Sequence, residues 1–139
     1  MISFNYELDF QLDSEEQVSK WLSRVIQSEN FREGEICYVF CNDDYLHKLN
    51  VQFLNHDTFT DIISFDYSIG KELHGDIFIS IERVKENAEN FNEEFNEELK
   101  RVMVHGVLHY CGYKDKSDKD ARIMREKENH HLNLFTSIQ

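Results

Sequence analysis

"VMVHGVLHYCGYKD", residues 102–115, sets two histidines four apart, a glycine three residues after the second, and an aspartate three after that. Leu99, Val102, Met103, Gly106, Val107 and Tyr110 recur around it at helical spacing, so residues 96–112 read as a helix. Gly112 is placed to end that helix as a C′ glycine in the left-handed conformation.

Working outward, residues 2–12 alternate apolar and polar side chains and read as a strand. Residues 13–30 read as a helix with Ser14 at its N-cap and Gln17 completing a capping box; Val18, Trp21, Leu22, Val25 and Ile26 form its core face. A strand over 34–41 and a short helix over 42–55 follow, the latter capped by Asn42 or Asp43 and burying Tyr45, Leu46, Leu49 and Phe53. Residues 60–67 and 75–81 are predicted strands, with 68–74 as the turn between them. Helical periodicity then covers 82–92, 96–112 and 117–138, the last capped by Ser117 or Asp118. This order predicts an α+β fold: a four-stranded mixed sheet with a layer of helices. No internal repeat, proline or linker interrupts the 139 residues, which are expected to form one domain over 1–139.

On a helix, residues i and i+4 share a face, so His105 and His109 can aim at one point. After Gly112 the chain can reverse and bring Asp115 in as a third donor. A longer zinc-helix pattern uses the same reversal at the same spacing, with histidine in the last place. Two imidazoles and one carboxylate leave a coordination position open, which is the habit of a catalytic zinc site. One Zn²⁺ per chain is therefore expected, acting as a Lewis acid in hydrolysis. A histidine pair alone could simply line a helix; the glycine and the aspartate at these offsets favour a metal. Gly106 occupies the place where zinc peptidases carry a general-base glutamate, which argues against proteolysis. His130 and His131 are adjacent, point about 100° apart, and suit the C-terminal end of a helix dipole. His47, His56 and His74 are isolated.

Fifteen basic against 27 acidic residues give a net charge of −12, without the basic footprint usual for nucleic-acid binders. The N-terminus lacks a secretory pattern and the apolar runs are too short to span a bilayer, so a cytoplasmic protein without membrane contact is expected. Three cysteines, an odd number, fit that compartment. Cys37 and Cys41 lie on one face of a strand and are expected to be unlinked, and Cys111 to pack rather than ligate.

These residues together resemble the YbeY family of bacterial single-strand-specific endoribonucleases and rRNA maturation factors. Its pattern H-G-x-L-H-x-x-G-Y-D-H is matched by "HGVLHYCGYKD" in all but the last two positions. "LNVQFLNHDTFTDIISF" is similar to the family's L-N-x-x-Y-R…T-D-V-L-S-F stretch, "GDIFIS" to its G-D-I-x-I-S strand, and "REKENHHL" to its closing E-x-E-x-x-x-L helix. The likeness runs from Leu49 to Leu132. It implies a zinc-dependent endoribonuclease acting on single-stranded RNA, not DNA, in maturation of the 3′ end of small-subunit (16S) rRNA and in ribosome quality control. The ribosome or its proteins and an assembly GTPase are the implied partners. The alternative is a non-catalytic, zinc-containing ribosome-assembly factor.

Carried over by position, the ligands are His105 and His109, with Asp115 where the family has its third histidine and Lys114 where it has an aspartate. Leu54 stands in place of the family arginine. Thr60, Asp61, Ser64 and Asp76 also match. Asp61 and Asp76 are expected either to line the cleft or to hold a ligand histidine; otherwise Thr60 and Asp61 only shape a turn. Lys114 and Asp61 are the catalytic candidates. With Leu54 unable to hold a phosphate, that contact is expected to fall on Lys114, Lys116, Lys119 and Arg122.

Overall fold

The computed structural model describes residues 1–56 and 58–138, with side chains through Phe135 in the last helix. The elements run β1 (Ile2–Tyr6), α1 (Glu15–Ser28), β2 (Arg32–Cys41), α2 (Asp43–Leu54), β3 (Ile62–Asp66), β4 (Glu72–Ser80), α3 (Ile81–Asn90), α4 (Phe95–Tyr110) and α5 (Asp118–Ile138). The fold is α+β, as the periodicity implies. Strands lie in the order β1-β2-β4-β3. β1 and β4 each pair parallel with β2, while β3 pairs antiparallel with β4 and forms one edge.

Alternation along the strands sorts the core into two sides. Ile36, Tyr38 and Phe40 of β2 and Leu73, Ile77 and Ile79 of β4 pack on one face with α1, α3, α4 and α5. Cys41, Ile63, Phe65 and Phe78 point to the other, where α2 covers them with Leu46 and Leu49. The helical layer is therefore two-sided, with α2 alone on the second face. Helix α2 sits shallowly: Leu46 and Asn50 are buried, whereas Tyr45 is 37% and Phe53 58% exposed, contrary to the expected buried stripe. Asn50 takes an inward position because its amide can donate to the carbonyl of Thr58 at 2.8 Å.

The caps are mostly where composition puts them. Asn42 accepts from the Tyr45 amide, Ser80 from the Arg83 amide, and Ser117 from the Asp120 amide. Ser14 is the N-cap of α1, but its side chain makes no capping bond. Its ψ of 64° departs from the extended backbone typical of capping serines. The predicted turn over 68–74 is shorter, because β4 begins at Glu72.

Helix α4 decides where the site lies. It is buried at Leu99, Val102, Met103, Val104, Gly106, Val107 and Leu108. The buried Tyr38 hydroxyl donates to the Met103 carbonyl at 2.7 Å, and the Tyr110 hydroxyl lies within reach of the carbonyls of Phe65 and Asp76. At Gly106 the helix lies so close to the sheet that a Cβ would stand 3.1 Å from Ile77 Cδ1 and 3.2 Å from Ile62 Cδ1. No helix among the described residues is long and apolar enough to cross a membrane.

Candidate metal centre and cavity

The glycine turn expected after the two histidines is present. Gly112 has φ of +100°, its amide donates to the His109 carbonyl at 3.0 Å, and the Tyr113 amide donates to the Leu108 carbonyl at 3.1 Å. This is the Schellman pattern, in which a left-handed residue satisfies the last carbonyls and turns the chain back. The reversal returns Asp115 to the helix face. Its Oδ2 lies 3.2 Å from Nε2 of His105 and 3.3 Å from Nε2 of His109. One ligand atom from each of the three residues lies within 4.8 Å of the others.

The opposite ring nitrogens fix which nitrogen faces the group. Nδ1 of His109 lies 2.9 Å from the Tyr113 carbonyl, which can only accept, so Nδ1 carries the proton and Nε2 offers its lone pair. Nδ1 of His105 lies 2.7 Å from Oε2 of Glu128, a buried carboxylate on α5. Burial pushes the Glu128 carboxyl up, but hydrogen bonds from His105 and Arg101 outweigh it and hold it below its ordinary value. Burial likewise lowers the His105 imidazole, and the Glu128 hydrogen bond, with the charges of Glu128, Asp115 and Asp61, reverses this and raises it. Two oriented imidazoles, one carboxylate and a carboxylate–histidine support are the donor set of a zinc, nickel or iron site. The residues fit such an ion.

This group stands in a cavity of about 450 Å³. Along α4 the face presents Glu98, Arg101, Val102, His105 and His109, at offsets of three and four. Thr60 and Asp61, leading into the edge strand, and Ile62 and Ser64 on it close one side; Asn87 on α3 and Phe91 at its C-cap contribute, as do Arg125 and Glu128 from α5. Asp61 is held by a 3.4 Å hydrogen bond from the Asn87 amide, and burial raises its carboxyl above the ordinary value.

Asp61, Thr60 and Ser64, named from the sequence, therefore line the same cavity as the metal group. Asp76 does not; it lies in the middle of β4, and the ring-orienting role weighed for it belongs to Glu128. Lys114 is exposed beside Asp115 and is not among the lining residues, and neither are Lys116, Lys119 or Arg122. Leu54 is 40% exposed and also lies outside the lining. Among the described residues, the cations inside are Arg101 and Arg125. Arg101 was legible, four residues before His105 and so on its face; Arg125 and Glu128 depend on where α5 docks, which no local spacing encodes. His131 is no terminal surface residue: it is fully buried, with Nε2 2.8 Å from Glu29 Oε2. All three cysteines are free thiols.

The model of the family described as endoribonuclease YbeY matches residues 3–136. A Flavobacterium johnsoniae protein named endoribonuclease YbeY is 63% identical over 135 residues, covering 97% of both chains. The Flavobacterium psychrophilum protein of the same name is 65% identical over 135 residues, covering 97% of this chain and 96% of that one. Among solved structures, the solution structure of TM1509 from Thermotoga maritima superposes with a TM-score of 0.71 at 28% identity, covering 97% of this chain and 89% of that one.

Proposed function

The chain belongs to the endoribonuclease YbeY family, and from that premise we propose that it is a zinc-dependent endoribonuclease cleaving single-stranded RNA. The observation that carries the reading is the convergence of His105, His109 and Asp115 in a cavity also lined by Arg101 and Arg125. Three ligands with room beside them suit catalysis, and two guanidiniums suit a phosphodiester.

The ion would be held by Nε2 of both histidines and by the Asp115 carboxylate, and it supplies Lewis acidity toward a phosphoryl oxygen. The chain's own groups do the rest. Arg101 and Arg125 draw the phosphate to the ligand face and offset its charge. Asp61 is half-buried, steadied by Asn87 and raised by burial, so its carboxyl is suited to take a proton from the attacking oxygen and release it to the departing one. Lys114, exposed next to Asp115, attracts the RNA backbone at the rim. Gly106 leaves no space for a peptidase-type glutamate at its position, since even a Cβ would press on Ile77.

In the cell, this reading places the protein in the cytoplasm, in maturation of the 3′ end of small-subunit rRNA, with the ribosome and an assembly GTPase as partners. A second reading, a zinc-containing assembly factor without cleavage, is favoured by Leu54 in place of the family arginine and by the net charge of −12. One experiment separates them: metal analysis of the purified protein, with cleavage of single-stranded RNA assayed before and after chelation. The endoribonuclease reading expects about one zinc per chain and chelator-sensitive cleavage, both lost in His105→Ala and His109→Ala. Zinc without cleavage selects the assembly factor.

A further inference from the structure

The cavity extends well beyond the metal group. Arg101 lies one helical turn before His105 on α4, and Glu98 nearly another turn before that, so the lining continues for about 10 Å past the ligands. Three features of this arm have no use in holding a metal. Phe91, where α3 ends, lines the cavity yet is 59% exposed. Arg125 has a side chain 58% exposed and, among the described residues, only a distant ion pair, Nε to Glu128 Oε1 at 3.8 Å. Glu98 is 6% exposed and lines the arm, and its carboxyl enters none of the hydrogen bonds found among the described residues. Burial raises its carboxyl, against the lowering pull of the Arg101 and Arg125 charges.

We propose that Phe91, Arg125 and Glu98 form a subsite for one nucleotide flanking the scissile bond. The base stacks on Phe91, its phosphate pairs with Arg125, and a base N–H satisfies Glu98. Each part answers a physical need. An exposed phenylalanine and a cation lining one cavity offer a π-face and a charge, which together hold unpaired nucleotides without choosing among them. Every base has a face to stack and at least one N–H on its edge, so the subsite takes any base. It refuses a duplex, because a paired base hides its face and its edge. Unstacking is free only in a single strand, so preference for single-stranded RNA follows from this arm.

The inference rests on the RNA reading of the same cavity, and its test is separable from it. Trp21 is fully buried, so Phe91→Trp adds an indole whose emission reports on the arm alone. The zinc-loaded variant is titrated with a short, cleavage-resistant phosphorothioate single strand. Saturable quenching is expected, with wild-type-like affinity. Phe91→Ala should weaken binding roughly 5- to 150-fold, the worth of one stacked base, and Phe91→Tyr should restore it. Arg125→Ala should reduce the slope of log affinity against log salt by about 0.7, one phosphate. Metal content should not change in any of them. Absence of quenching, or equal affinity for Phe91→Ala and wild type, overturns the subsite even if the protein cleaves RNA. Quenching with these dependences upholds the subsite even if cleavage is never seen, in which case the nuclease reading alone falls. Quenching by an acidic peptide but not by the oligonucleotide assigns the arm to a protein and also overturns it.

Discussion

Oε2 of Glu128 stands 2.7 Å from Nδ1 of His105 while its Oε1 stands 3.1 Å from Nη1 of Arg101. One buried carboxylate thus orients a ligand ring and positions a cavity cation. Removing its charge should loosen both. If the proposed zinc is held there, Glu128→Gln is expected to weaken its affinity about 10- to 100-fold, the usual cost of losing such a supporting partner. Competition against a chelator of known affinity measures it. Unchanged affinity would mean that the ring is held by packing alone.

The histidine motif was legible because its geometry is local. A four-residue helical interval and a glycine-terminated turn define His105, His109 and Asp115 without reference to the rest of the fold. The succession of strands and helices along the chain and the core face of α1 were legible for the same reason, through periods of two and 3.6. What the sequence concealed depends on docking. Glu128 and Arg125 acquire roles only when α5 lies against α4, and His131 is buried only because Glu29, at the end of α1, receives it. Phe53 was misread because α2 is the single helix on its face of the sheet, where a helical stripe is only partly covered.

Gly106 is fixed by contact with the sheet. Gly106→Ala gains up to about 1 kcal/mol of helix propensity but sets a methyl 3.1 Å from Ile77 Cδ1, so α4 must give by a few tenths of an ångström. Gly106→Glu has no such relief and drives a carboxylate between Ile77 and Ile62. It should cost at least about 3 kcal/mol, or roughly 10 °C in melting temperature. A variant melting like wild type would show that α4 sits farther from the sheet.

Cysteine reactivity should be graded. Burial pushes the Cys41 and Cys111 thiols up to about 12, and Cys41 is wholly enclosed. Cys37 is partly exposed and accepts from the Asn5 amide at 2.9 Å. Alkylation of the native protein at neutral pH should therefore mark Cys37 first, by mass spectrometry of tryptic peptides. Denaturation without reductant should release three thiols. A count of one would reveal a disulfide.

Lys114 separates rim attraction from catalysis. Exposed charges act over a Debye length of about 10 Å at 0.1 M salt and about 3 Å at 1 M. Lys114→Glu should lower kcat/KM a few-fold at low ionic strength through KM, and the difference should vanish at high salt. A loss of kcat that persists at high salt would place the ammonium at the reacting phosphate instead.

The buried pair of His131 and Glu29 makes stability depend on pH in a predictable direction. Burial lowers the His131 imidazole below its ordinary value of 6.5, and His130 and Lys127 act the same way, outweighing the opposite pull of Glu29. Burial pushes Glu29 up, but hydrogen bonds from Tyr113, His131 and Lys127 carry it below 4.5. Both groups therefore bind protons more readily unfolded than folded, and stability must rise with pH across each window. The His131 contribution is complete above about pH 6.5 and fades as acid protonates the unfolded chain; that of Glu29 fades only below about 4.5. His105 has the opposite sign, since its folded value is raised, so the wild-type curve alone mixes the two. The difference between wild type and His131→Leu cancels that common part. Leucine keeps the buried volume near Trp21 and leaves Tyr113 and Lys127 on Glu29. Between pH 7 and 5.5 the melting temperature of wild type should fall more steeply than that of His131→Leu. Parallel curves would mean that His131 binds its proton alike folded and unfolded, and a shallower wild-type fall that it is charged in the fold and pairs with Glu29.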